Sequence, residues 1–115
     1  MSFEMWTAQY RYGGPDRLDI TVKGQHWLGK HFAPRWDMVQ AVKDHGPLAY
    51  QFYIDEYMKI LENVPIGPWE ALFKAERVVF VCFCPQDAFC HRNLLVEFIS
   101  NRVCSAYYAG FKPSS

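Results

Sequence analysis

The clearest pattern in the chain is an unbroken apolar run over 78–83 (VVFVCF), with Arg77 before it and Pro85 shortly after. A short run rich in β-branched and aromatic residues, with no polar alternation, predicts a strand buried on both faces and therefore central in a parallel sheet. From Cys90 onward, Leu94, Leu95, Phe98 and Ile99 follow helical spacing, so a helix opens there with Cys90, His91 and Arg92 in its first turn. Only 84–89 remains to connect strand and helix. The carboxyl end of such a strand is where open α/β sheets bind their ligands.

The rest of the chain supplies the partners of this unit. Over 5–12, Trp6, Tyr10 and Tyr12 alternate with Thr7, Gln9 and Arg11, predicting a strand closed by the turn Gly13-Gly14-Pro15-Asp16. Leu18, Ile20 and Val22 alternate with Asp19 and Thr21, predicting a second strand over 18–22. Residues 25–34 show no period and read as a loop anchored by Trp27 and Phe32. A helix over 35–44 carries Trp36, Val39 and Val42 on one side and stops at Gly46-Pro47. The longest helical pattern, over 48–64, places Tyr53, Tyr57, Ile60, Leu61 and Val64 on one face. Pro65 to Pro68 interrupts it, a short helix over 69–75 follows with Pro68 in its first turn, and 105–111 ends the chain with a last short strand. Helical crossovers between strands favour parallel pairing. The expected fold is a single-domain, three-layer α/β sandwich with a short, mostly parallel sheet over 1–111 and a frayed tail at 112–115. A hairpin between the first two strands would make the sheet mixed.

With 115 residues the chain has room for one core, and half of its residues are apolar, which excludes a disordered chain. The formal net charge is zero, so extensive coating of duplex nucleic acid is excluded, while a local basic pocket for one or two phosphates is not. No run of apolar residues is long enough to span a membrane, and the N-terminal stretch has no signal-peptide pattern. The expected compartment is the cytoplasm, where the four cysteines would be reduced thiols.

The stretch VCFCPQDAFCHRNLLVEFI resembles the signature of the domain-of-unknown-function 488 family: a Cys at a strand end, then Cys-His-Arg opening a helix, here Cys82 and Cys90-His91-Arg92. The Asp19-Ile20-Thr21-Val22 strand, Phe32-Ala33-Pro34 and the Tyr-rich helix sit where that family has comparable features. This chain departs from the family pattern at Cys84, where the family has a carboxylate. The resemblance implies a small intracellular α/β protein of a kind found in bacteria and phages, with no settled activity.

Three chemistries are open to the Cys/His/Arg constellation. An anion site would use the unpaired amides and positive dipole end of the helix start, with Arg92 as a planar fork for phosphate or carboxylate. The alternative for Arg92 is a structural ion pair. Nucleophilic catalysis would use Cys90 or Cys84, with His91 as proton carrier, because a helix start beside His and Arg lowers a thiol pKa. The Cys-x5-Arg spacing of protein phosphatases is absent, since counting from Cys84 arrives at Cys90 and Arg92 lies two places later. Metal binding by Cys82, Cys84, Cys90 and His91 lacks the paired-knuckle spacing of zinc sites, so no metal and no cofactor are expected. Lys23 at the end of the second strand, Arg35 and Trp36 in a cationic–aromatic segment, Tyr57 on the long helix and Cys82 complete the expected ligand-binding set.

The reading is of a pocket at the carboxyl end of the core strand that takes a small phosphate-bearing ligand, a nucleotide or a nucleic-acid end, with thiol chemistry if it is an enzyme. The competing expectation is a non-catalytic module that docks on a protein partner through its aromatic surface.

Overall fold

The computed structural model of the protein describes residues 2–84 and 88–113. Residues 85–87 of the expected 84–89 connection, and residues 114–115 of the expected tail, lie outside them. Four strands, β1 (Phe3–Gln9), β2 (Arg17–Asp19), β3 (Arg77–Cys82) and β4 (Ala106–Lys112), form one sheet in the order β2-β3-β1-β4. All three pairings are parallel. Four α-helices connect them: α1 (Trp36–His45), α2 (Tyr50–Glu62), α3 (Ile66–Phe73) and α4 (His91–Arg102). Short 3-10 turns precede α1 and α2. The expected α/β fold with a short parallel sheet is therefore present, and the hairpin between the first two strands is not.

β3 holds the position its apolar run predicts. It lies between β1 and β2, and Val78 through Cys82 are all buried. On one face, Phe3, Met5, Val78, Phe80, Leu18 and Ile20 meet side chains of every helix, including Met38, Tyr57, Leu72 and Leu95. Burial of each such large apolar side chain contributes about 1.5–3 kcal/mol. On the other face Ala8, Val79 and Val81 are covered by Trp6, Tyr10 and Tyr12. The layers are thus unequal: the described helices share one face, and aromatic side chains of β1 and the turn after it close the other.

Several boundaries move for local reasons. The expected strand 5–12 ends at Gln9, because the Tyr12 amide turns back to the Gln9 carbonyl. Arg17 Nη2 then donates to the Tyr10 carbonyl, fixing the link that brings β2 in parallel to β3. β2 is shorter than the expected 18–22. Its end is set by Asp19, whose Oδ1 accepts from both the amide and the hydroxyl of Thr21, at 2.9 and 2.7 Å, and so draws the chain out of the sheet. The buried run stops one residue early as well: Phe83 lies past the strand end and is exposed, stacked on Tyr10 at 4.3 Å. In β4 the pairing shifts between Met5 and Trp6, where Gly110 takes a positive φ of 137° beside the Trp6 ring. Among the described residues no helix is long and apolar enough to cross a membrane.

Candidate functional site

Because the strands run parallel, β1, β2 and β3 end on the same edge of the sheet, and α4 starts there. This edge opens into a cavity of about 490 Å³. Its floor includes Cys82 from the end of β3 and Cys90 and His91 from the start of α4. Thr21, Val22 and Lys23 form a wall beyond β2, Trp36, Val39 and Lys43 of α1 the opposite wall, and Tyr53 and Phe89 close the side against α2.

The floor is a chain of thiols. Cys90 Sγ lies 3.1 Å from Cys82 Sγ, which lies 3.7 Å from Cys84 Sγ. Cys82 and Cys90 are buried, whereas Cys84 is only half-buried and lines the cavity. The hydrogen bond that Cys82 donates lowers the Cys84 thiol strongly, helped by Cys90 and by the charge of Arg92. The same hydrogen bond raises Cys82, to about 11, and contact with Cys82 raises Cys90 well above its ordinary value. Among these thiols the site thus favours a thiolate at Cys84 over one at Cys90, although the helix start had made Cys90 the stronger candidate.

His91 is neutral by construction. It is wholly enclosed, and burial lowers it from 6.5 to about 4. Its Nε2 lies 2.5 Å from the Ile20 carbonyl oxygen. A carbonyl only accepts, so the neutral ring carries its proton on Nε2 and leaves the Nδ1 lone pair facing Cys90 Sγ, 3.6 Å away. Tyr57 packs edge-on against this ring at 5.7 Å and donates to the Phe32 carbonyl at 2.7 Å. Tyr57 is therefore a buried support beneath the site and not part of the cavity wall. Tyr53, one helical turn earlier, does reach the wall, and burial raises its hydroxyl pKa.

Of the expected cationic groups only Lys23 reaches the cavity. Its Nζ lies 5.5 Å from the Trp36 ring centroid, and Lys43 Nζ lies 5.1 Å from the same ring. Arg35 points elsewhere, pairing with Asp37 and Glu56 at 3.0 and 2.8 Å on the exposed side of α1 and α2. Arg92 is fully buried. Its Nη1 donates to the carbonyls of Ala8 and Cys82, at 3.1 and 3.4 Å, joining the ends of β1 and β3. Its guanidinium also lies over Phe111 of β4, 5.5 Å from the ring centroid. Arg92, expected to grip a ligand, is not in the cavity lining, and carbonyls at the ends of parallel strands converge on it.

Lys43 and Phe89 were not among the expected residues. Lys43 stands seven residues after Trp36, two helical turns along one face, so helical spacing carried that signal. Phe89 had none, since it reaches the wall by stacking on Tyr50 at 4.0 Å, a contact between distant segments.

Fold and site together define a small parallel α/β domain with a thiol-floored cavity at the carboxyl ends of its strands. The family model described as the Active DUF488-N3 subclade matches residues 3–103, and the chain belongs to this family. Comparison with curated proteins and with solved structures returns no match.

Proposed function

We propose that the cavity binds a small phosphate-bearing ligand of the nucleotide class. The observation that carries this reading is Trp36, a half-exposed indole at the cavity wall with the ammonium groups of Lys23 and Lys43 both against its ring. A flat aromatic face beside two cations suits a base and its phosphate, because stacking tolerates any base while the ammoniums neutralise the anion. The volume of about 490 Å³ lies within the range of small-ligand pockets. The mostly apolar walls from Val39, Tyr53 and Phe89 would exclude water from the bound ligand and strengthen the charge contacts. If the ligand is transformed, the thiol within reach is Cys84, which lines the cavity.

Calorimetric titration with a mononucleotide, its nucleoside and inorganic phosphate tests this. The mononucleotide is expected to bind at least about tenfold more tightly than either fragment, and the Lys23→Ala, Lys43→Ala double variant to lose about that factor. The urea midpoint of that variant should stay unchanged. Nucleoside and mononucleotide binding alike, or no binding by any of the three, would overturn the reading and favour the docking module. Protection of Cys84 from alkylation by the mononucleotide would place the ligand next to the thiol.

A further inference from the structure

Cys82 Sγ, Cys90 Sγ and a ring nitrogen of His91 all lie within 4.8 Å of one another, and all three residues are buried. Two thiols and an imidazole are donors that select zinc over the hard cations magnesium and calcium. In a tetrahedral zinc site, bonds of about 2.3 Å to sulfur and 2.1 Å to nitrogen give sulfur–sulfur edges of roughly 3.8 Å and sulfur–nitrogen edges of roughly 3.6 Å. The Cys90–His91 edge already has this length, at 3.6 Å. The Cys82–Cys90 edge, at 3.1 Å, has to open by roughly 0.7 Å to reach it.

The imidazole is oriented for this role. The Ile20 carbonyl accepts a hydrogen bond from Nε2–H, and Tyr57 packs against the ring edge-on. What remains is an Nδ1 lone pair turned toward the sulfurs. A backbone carbonyl behind the imidazole is the support that metal-bound histidines characteristically have, because it fixes both tautomer and ring angle. The sequence concealed this arrangement because the donors come from a strand end and a helix start and not from paired knuckles.

We propose that Cys82, Cys90 and His91 bind one zinc ion, with the fourth coordination position open to the cavity that these same residues line. Binding forms two zinc–sulfur bonds and one zinc–nitrogen bond, and the two thiol protons pass to solvent. His91 binds as neutral imidazole, through the lone pair of Nδ1. The dication and two thiolates sum to zero formal charge, so the buried site needs no additional counterion. Three protein ligands with one open position is the pattern of catalytic zinc sites, whereas structural sites are closed by four. Cys84, 3.7 Å from Cys82, does not share the mutual 4.8 Å reach of these three donors and stays outside the set.

The test is elemental analysis of full-length protein loaded with equimolar zinc, followed by cobalt(II) titration. About one zinc per chain is expected, and the cobalt form should show thiolate-to-metal charge transfer with tetrahedral d–d bands. Cys90→Ser should weaken the metal at least about tenfold, while Cys84→Ser retains it. Circular dichroism of each variant reports whether it is folded, and the wild-type cobalt spectrum needs no variant at all. A wild-type chain that takes up no stoichiometric metal overturns the proposal, as does loss of metal in Cys84→Ser. So does a Cys82–Cys90 disulfide in protein prepared without oxygen. Mononucleotide binding measured on chelator-treated protein keeps the cavity reading separate, since either can fail while the other holds.

Discussion

His91, in the first turn of α4, places its Nε2 2.5 Å from the carbonyl of Ile20, just beyond the end of β2, and so ties a helix start to an edge strand 71 residues earlier. Either protonation state of the ring can donate from Nε2, but burial outweighs this contact and holds the folded pKa at about 4 against an ordinary 6.5. Between those values the unfolded chain binds a proton that the folded chain does not. The contribution is therefore complete above about pH 6.5, is lost as pH falls toward 4, and changes no further below it; the shift corresponds to about 3 kcal/mol. Urea unfolding of chelator-treated protein across this window should show that loss, and a folded His91→Gln variant should show a shallower slope. Equal slopes would mean that His91 does not titrate with folding.

Arg92→Met should be strongly destabilising. The guanidinium is fully buried and holds the carbonyls of Ala8 and Cys82 at the ends of the two central strands. Removing its charged donors leaves buried carbonyls unsatisfied, at a cost of about 3 kcal/mol or more. Urea denaturation measures it. A variant with wild-type stability and no nucleotide binding would instead return Arg92 to the ligand.

Gly29→Ala should cost at least about 2 kcal/mol. A Cβ at this position would stand 1.9 Å from the Asp19 carbonyl oxygen, and backbone at the end of β2 has little room to yield. The Leu28 and Gly29 amides are also fixed, both donating to His26 Nδ1 at 3.1 Å. Thermal unfolding of the variant checks this, and an unchanged midpoint would show that the loop can move aside.

Tyr57→Phe should cost about 1 kcal/mol, the net worth of its hydrogen bond to the Phe32 carbonyl plus the buried acceptor it leaves. Mononucleotide affinity should be unaffected, because the ring itself remains under His91. A large loss of affinity with stability intact would assign Tyr57 to the ligand after all.

The central strand, the start of α4 and the edge of the sheet that carries the cavity were legible because each rests on a strong local signal. Val78 to Val81 leave no polar alternate, and the sheet rule then points to the strand's carboxyl end. The burial of Arg92 was not legible, because backbone carbonyls of β1 and β3 are among its partners and no sequence pattern marks where those converge. Phe83 looked like strand core by composition, although the chain leaves the sheet one residue before it. The thiol–imidazole triad has no paired-knuckle spacing, because its donors stand at the end of β3 and the start of α4.

The strand order has a consequence for synthesis. β1 pairs with β3 and β4 alone, and these begin at residues 77 and 106. As the chain emerges from the ribosome, the first strand must wait with both edges unpaired until most of the polypeptide has been made. Sheets closed by such distant segments fold slowly and leave apolar strands open to other chains meanwhile. Yield in expression should therefore depend on how long Phe3 to Gln9 stays uncovered, even where the finished domain is stable.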